Sequence, residues 1–494
     1  MTDRYVIGID SSTQSVKAIA WTPDGRIAAE GRAPLEVLTP APLEVEQHAE
    51  SWWQATVAAL GQVTAQIDPA AIQGIAIANQ RETMVFLDAR DRPLAPATLW
   101  LDRRAKDMTT SLADALGAER LHAISGKPVD VIACLYRLAW YRQASPELLD
   151  KAVRIADVQA FLALRLTGRF VTSWTSADPW GIFDIGAKAW SAPLLDHLGV
   201  RLGQLPEICA PGALMGTITP AAVQQTGLPA GTPLFAAGGD GHCAALGAGA
   251  IGQGRLYLNL GTALVGGLWS PRAELSPYWR TLVSPTGSGY LLETVQKAGT
   301  YLVDWLLHNF SAGGTSPANF ARLNDAILDL PIGSEGVMIC PYLMGCMDPH
   351  WNADASATIS GLRADHGLVH LYRATLEAMT LELSRALSQM AAHGIQPDRI
   401  IAIGGGAENA AWLQMIADSC GVEVVRCYSN QASSLGAAIT AGVGAGWYDG
   451  YSEACAAMVR TGRSWSPVLS TRPAWQALSH RQGALYGRML ETGA

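Results

Sequence analysis

Two aspartates carry the chemistry that this chain suggests. Asp10 ends the apolar run Val6-Ile7-Gly8-Ile9 and is followed by Ser11-Ser12-Thr13-Gln14-Ser15-Val16-Lys17. Asp240 ends Phe235-Ala236-Ala237-Gly238-Gly239 and is followed by Gly241 and His242. Each carboxylate stands beside residues small enough for a ligand to approach the backbone. One carboxylate can serve a Mg²⁺ ion that also takes phosphate oxygens and water, and the other can accept a proton from a hydroxyl. Two such groups on opposite walls of a cleft are the requirement of a magnesium-nucleotide phosphotransferase, in which positioning and charge neutralisation do most of the work.

The segments around them fit that chemistry. A tight turn between antiparallel strands aims several N–H groups into one concavity that holds phosphate. Ser12, Thr13 and Gln14 occupy such a turn, and Lys17 can add a point charge. The alternative is a surface hairpin with an Asx cap at Asp10, since short motifs often occur without function. Asn259-Leu260-Gly261-Thr262-Ala263 repeats the pattern: strand, glycine, hydroxyl, small residue. Ile401-Ala402-Ile403 runs into Gly404-Gly405-Gly406, with Asn409 opening a helix whose N-terminus suits an anion. The glycine spacing does not match the dinucleotide fingerprint. Asp240 has its own alternative, as the N-cap of the Ala-rich helix that starts at Gly241. His242, alone beside an apolar helix, reads as a satisfied structural residue.

Strands over 5–9, 16–21 and 26–32, a helix over 50–64 with Trp53, Val57 and Leu60 on one face, and a strand over 73–78 must position the first aspartate. A strand over 83–88 is expected to pair beside 73–78. Helices are expected over 103–115, 135–143 and 157–166. A second strand–loop–strand unit spans 254–260 and 264–269, followed by a helix over 369–392, a strand over 400–403 and a helix over 410–421. The repeated hairpin suggests two related halves joined near 245–254, the plan of actin-like ATPases with nucleotide between two lobes.

Composition agrees with a large two-lobed enzyme. The chain has 494 residues, 49% hydrophobic and 16% charged, which is too long for one core and too apolar for disorder. A net charge of −8 without a basic block argues against nucleic acid as a partner. No apolar run reaches the length of a membrane span, and Met1-Thr2-Asp3-Arg4 leads directly into a strand without a signal-peptide core. The eight cysteines show no CxxC pair and read as thiols of a cytoplasmic protein.

The chain resembles the FGGY carbohydrate kinases along almost its whole length. The matching segments keep the family's order: Gly8 to Lys17, Asn79-Gln80-Arg81-Glu82-Thr83, Leu99 to Arg104, Gly238-Gly239-Asp240, Leu260-Gly261-Thr262, Pro341 to Gly345, Arg373 to Glu377, Gly404 to Ala407, and Leu435 to Ala438. The resemblance implies an α/β, two-lobed actin-like ATPase (ribonuclease H-like) fold with a mixed sheet in each lobe and a deep cleft between. Residues 1–250 would form the lobe with the sugar site and first phosphate hairpin, and 251–494 the nucleotide-binding lobe. It also implies ATP and Mg²⁺, transfer to a hydroxyl of a sugar or polyol, Asp240 as catalytic base, and Asp10 with Asp240 on the metal side. Ser12, Thr13, Gln14, Lys17, Gly261, Thr262, Gly405, Gly406 and Asn409 form the expected nucleotide set, of which Thr13, Thr262, Gly405 and Asn409 match positions that contact nucleotide in the family. A homodimer is compatible with the family.

Substrate signals divide. Asn79 to Thr83 is similar to the glycerol-kinase form of its motif, so Gln80, Arg81 and Glu82 are substrate candidates, with Trp100 packing a carbon chain. Against glycerol, Ile132 stands where those kinases carry a tyrosine, and Gly241 where they carry glutamine. The Gly-Gly-Asp context and Pro341-Tyr342-Leu343-x-Gly345 look more like xylulokinases, although Gly241 and Cys346-Met347-Asp348 depart from those too. Gly241 leaves a larger site, which favours D-xylulose or a related ketopentose over glycerol or another polyol. A regulatory actin-like ATPase or a sugar sensor is the alternative of another class. The sugar-side residues would serve no purpose in an ATPase that moves a partner.

Overall fold

The computed structural model describes residues 4–429 and 431–491; the residues 1–3 expected to lead into the first strand lie outside them. β1 (Tyr5–Ser11), β2 (Ser15–Trp21) and β3 (Ile27–Pro34) form an antiparallel meander, covered by α1 (Ala49–Thr64). β4 (Ile72–Asn79) then pairs parallel with β1. After α2 (Val158–Thr167), β5 (Leu214–Thr217) and β6 (Pro233–Gly239) complete a sheet of order β5-β6-β4-β1-β2-β3. β1 is buried along nearly its whole length, as a strand covered on both faces must be, whereas the edge strand β3 alternates exposed and buried residues.

α3 (Asp240–Gly247) leaves this sheet and leads into a second one. β7 (Arg255–Leu260), β8 (Leu264–Ser270), β9 (Arg280–Val283) and β10 (Tyr290–Gln296) are antiparallel neighbours. α4 (Leu368–Ala392), β11 (Arg399–Ile403), α5 (Ala410–Cys420), β12 (Glu423–Cys427), α6 (Ala432–Gly444) and β13 (Thr461–Trp465) follow. The order is β9-β10-β8-β7-β11-β12-β13. From the meander inward the two sheets match strand for strand: β3-β2-β1-β4-β6 corresponds to β10-β8-β7-β11-β12, three antiparallel strands and then two parallel ones. This is the two-lobed, actin-like α/β fold.

The lobes share the layer between their sheets. Cys243 and Leu246 of α3 pack with Val6, Ala76 and Leu435, while Ala244 and Ala245 pack with Tyr257, Ile401 and Ile403 of the second sheet. α6 belongs in sequence to the second half, yet it lies on the first sheet, where Ser434 Oγ donates to the Gly8 carbonyl at 2.9 Å. The two helices cross through glycines. A Cβ at Gly436 would lie 1.9 Å from the Cys243 carbonyl oxygen, and one at Gly247 would lie 2.0 Å from that of Ala432.

Two sequence expectations need correction. Val85–Leu87 does not pair beside β4; it pairs antiparallel with Arg154–Ala156, because the chain turns away from the sheet edge at Gln80 to Thr83. The helix expected over 103–115 begins only at Lys106, since Arg104 is held back by bonds to Asp102 and Glu46. All eight cysteines are free thiols. Among the described residues, no helix is long and apolar enough to cross a membrane.

Candidate active site

β1, β4 and β6 run parallel, so their carboxyl ends open on one edge of the first sheet. That edge presents Asp10 from β1, Asn79 to Thr83 after β4, and Asp240 after β6. Asp10 pairs with Ala78 on one side of β4, and Gly238 pairs with the same residue on the other. The strands carrying the two aspartates are therefore about 10 Å apart, twice the spacing of neighbouring strands. The aspartates do not face each other from opposite walls, as the sequence suggested; both belong to the first sheet, because β6 pairs with β4. Asp240 is also not an N-cap: Gly239 holds that position, and Asp240 begins the helix with its Oδ1 accepting from Gly241 N at 2.7 Å.

Asp10 feels the charge of Asp240. Burial, then the charge of Asp240, push Asp10 up to about 7 from 3.8, against the opposing pull of Lys17. One Asp10 oxygen is buried without a hydrogen-bond partner among the described residues. A carboxyl whose pKa rises on folding binds its proton more tightly in the folded chain, so stability falls as pH rises from about 4 to about 7. Asp10→Asn should reduce that slope, to which Asp157 and Asp348, also raised by burial, contribute. Thermal melts of the protein without divalent cation, taken between pH 4 and 8, test it; an unchanged slope would contradict the assignment.

A cavity of about 420 Å³ opens where the lobes meet, lined by Arg81, Glu82, Trp100, Asp240 and Gly241 from the first lobe and by Tyr257, Asn259 and Arg280 from the second. Its floor is an ion lattice that joins the lobes. Arg81 Nη1 donates to both oxygens of Glu293, at 2.9 and 3.1 Å, and Arg81 Nε lies 3.3 Å from Asp240 Oδ1. Arg280 donates to Glu82 at 2.8 Å and to the second oxygen of Glu293. Burial would raise Glu293, but Arg81 and Arg280 outweigh it and hold the carboxyl at about 2. Burial raises Asp240, while Arg81 and the Gly241 N–H pull it back. The Asp240 side chain keeps 41% of its surface exposed, so it is the open end of the lattice. Glu82 takes φ of 45°, rare for a residue with a Cβ and the kind of strain that collects at functional sites.

The space at Gly241 is not empty. A Cβ there would come within 3.2 Å of both the Arg81 guanidinium and Glu293 Oε1. The missing side chain makes room for this ion pair rather than simply widening the cavity.

The remaining expected residues fall into three groups. Trp100 lines the cavity, and its Nε1 donates to Thr13 Oγ1 at 3.0 Å, tying the cavity wall to the first hairpin. Gln80 does not line it: the side chain is buried, and its amide is taken by Gln47 at 2.9 Å and by Thr13 at 3.3 Å. It braces the Thr13 loop from beneath. Ser12 closes the hairpin through Oγ to the Ser15 carbonyl at 2.8 Å, Gln14 is exposed, and Lys17 reaches Gln431 at 2.9 Å across the lobe junction. In the second lobe, Gly261 and Thr262 cap the β7–β8 hairpin beside the cavity residues Asn259 and Ala263, with Thr262 exposed. Gly405 has open space where a side chain would be, and a Cβ at Gly406 would meet Leu260, so the two glycine loops adjoin. The Asn409 side chain is committed to the protein, capping α5 at Trp412 N and donating to Asn324 at 2.8 Å.

Sequence reasoning missed Arg280, Glu293 and Tyr257. The signal was there: Arg280-Thr281-Leu282-Val283 and Tyr290 to Gln296 are apolar strands, each with one charge at a buried position. His242 was expected to be satisfied and is not. It is fully buried, neither ring nitrogen has a hydrogen-bond partner among the described residues, and burial together with Arg81 keeps it neutral.

This site, on this fold, has known counterparts. The N-terminal domain of the FGGY family of carbohydrate kinases matches residues 5–247, and its C-terminal domain matches residues 256–445. The chain belongs to the FGGY family of carbohydrate kinases. It is 30% identical over 446 residues to the xylulose kinase of Escherichia coli (strain K12), covering 89% of this chain and 90% of the relative. It is 27% identical over 471 residues to the xylulose kinase of Bacillus subtilis (strain 168), covering 94% and 93%. The crystal structure of xylulose kinase from Rhodospirillum rubrum is similar with a TM-score of 0.92 at 26% identity, covering 99% of each chain. The protein is therefore an ATP-dependent carbohydrate kinase acting on a small sugar.

Proposed function

We propose that this kinase transfers the terminal phosphoryl group of ATP to a primary hydroxyl of D-xylulose or a related ketopentose. The observation that carries this reading is Asp240, half-open at the carboxyl end of β6, beside Arg81 and in a cavity lined from both lobes. In this reading Asp240 accepts the hydroxyl proton as transfer begins, and Arg81 and Glu82 orient the sugar's other hydroxyls. The backbone of the β1–β2 and β7–β8 turns, with Gly405 and Gly406, cradles the nucleotide. The several relatives that carry the name xylulose kinase support the pentose.

Asp10 and Asp240 suit Mg²⁺. Asp10 has a buried oxygen with no hydrogen-bond partner among the described residues, and the charge of Asp240 raises its proton affinity in the absence of a cation. Mg²⁺ bound there would neutralise charge on the transferring phosphoryl group. Closure of the lobes over the cavity would exclude water, which otherwise competes with the sugar for ATP.

Coupled ADP release, screened over ketopentoses, glycerol, tetritols and hexuloses, tests the proposal. Turnover is expected to be fastest with D-xylulose or a close ketopentose. A second reading, a glycerol or polyol kinase, is favoured by Arg81 and Glu82 both lining the cavity, and fastest turnover on glycerol or a tetritol would select it. Basal ADP release indifferent to every sugar would overturn both. Arg81→Ala should raise the sugar KM about 10- to 100-fold, the worth of a charged hydrogen bond, with the KM for ATP unchanged. An unchanged sugar KM would remove Arg81 from the sugar site.

A further inference from the structure

The cavity holds one more pair of opposite charges, which the phosphotransfer reading leaves unused. Asp130 lies in the first lobe, between the helices Ala118–Ser125 and Cys134–Ala144; Lys297 directly follows β10 in the second. Both line the cavity. Lys297 Nζ is 4.0 Å from Asp130 Oδ2, too far for a direct hydrogen bond. Asp130 Oδ1 accepts from Ile132 N at 2.9 Å, which fixes the carboxylate and leaves Oδ2 turned to the lysine. The two side chains are only 6% and 19% exposed, and Lys297 makes no hydrogen bond to any described residue.

An ammonium and a carboxylate held this far apart, mostly out of water, leave room for one hydroxyl. That hydroxyl would accept from Nζ and donate to Oδ2, giving each a hydrogen bond that the 4.0 Å gap denies them directly. Ile132, next to Asp130 and in the same cavity, has no hydrogen-bonding group to offer, so recognition there falls to this pair. The pair is also balanced in charge. A carboxylate on the ligand would gain the lysine but would sit against Asp130, and like charges at such range in a half-buried site cost several kcal/mol.

We propose that Asp130 and Lys297, one from each lobe, bind a non-reacting hydroxyl of the sugar and select neutral ketoses and alditols over sugar acids. This rests on the phosphotransfer reading above and narrows its substrate class.

The test uses the full-length protein and its variants Lys297→Met, Lys297→Arg and Asp130→Asn, assayed by ADP release with D-xylulose and with gluconate. Thermal melts confirm that each variant is folded. Lys297→Met is expected to raise the sugar KM at least tenfold, with kcat and the KM for ATP within twofold. Lys297→Arg, which keeps the donor, is expected to recover most of that loss. Asp130→Asn is expected to shrink the preference for D-xylulose over gluconate at least tenfold. A sugar KM unchanged in Lys297→Met, or a fall in kcat alone, overturns the inference while leaving the kinase reading intact. A wild-type protein active on gluconate but on no neutral sugar overturns this inference and the pentose reading together.

Discussion

Replacing Asp240 by asparagine is expected to lower kcat by about 10³-fold, within the 10²–10⁴ range that a positioned general base supplies. The substitution keeps the shape of the side chain and its place beside Arg81, and it removes only the capacity to take a proton. Because Asp240 is 41% exposed and at the open end of the ion lattice, the lattice itself should survive: Arg81 still has both oxygens of Glu293. Nucleotide binding, measured by equilibrium titration with ATP, should change little. The outcome that would sink the assignment is a kcat within tenfold of the wild-type value. A large loss accompanied by loss of ATP binding would instead point to a structural or metal-side role.

The second large effect concerns the helix crossing. Gly436→Ala should destabilise the protein by about 3 kcal/mol, the upper part of the range for forcing extra atoms into a packed interior. The added methyl would lie 1.9 Å from a backbone carbonyl oxygen, which no rotamer change can relieve. α3 and α6 would have to separate, and with them the contacts that join the sheets. Gly483→Ala is the control. It sits within the helix Arg472–Glu491 with open space around it, and should stabilise by up to about 1 kcal/mol through helix propensity. Urea unfolding midpoints compare the two. Equal, small shifts would show that the crossing is more plastic than its geometry indicates.

Much of this protein was legible in its sequence because the decisive residues lie at strand ends. A β-branched run followed by a small polar loop has few structural solutions, and β1–β2 and β7–β8 took the expected one. Asp240, Arg81, Glu82 and Gly241 come together because parallel strands deliver their carboxyl ends to one edge, and Trp100 is tied to that edge by its bond to Thr13. What sequence could not show was pairing between distant strands. β6 joining β4 is a long-range choice, and it decides that Asp10 and Asp240 share a sheet. The contribution of Arg280 and Glu293 likewise depends on the second sheet meeting the first. Gln80 was expected to share the target of Arg81 and Glu82 because it precedes them in the chain, but its side chain is engaged by Gln47 and Thr13 outside the cavity. The space at Gly241 was read from the absence of a side chain, and only the structure showed that an ion pair fills it.

The shared helical layer bears on how the chain is made. The strands of the first sheet are complete at Gly239, but the face formed by Val6, Ile19, Ala76 and Ala78, met in part by Cys243 and Leu246 of α3, is closed by Leu435 to Ala441. While a ribosome completes the remainder, that apolar face lacks the part of its cover that α6 supplies. A gene fragment that stops near residue 250 would leave that part of the face open and is expected to aggregate rather than yield half of an enzyme.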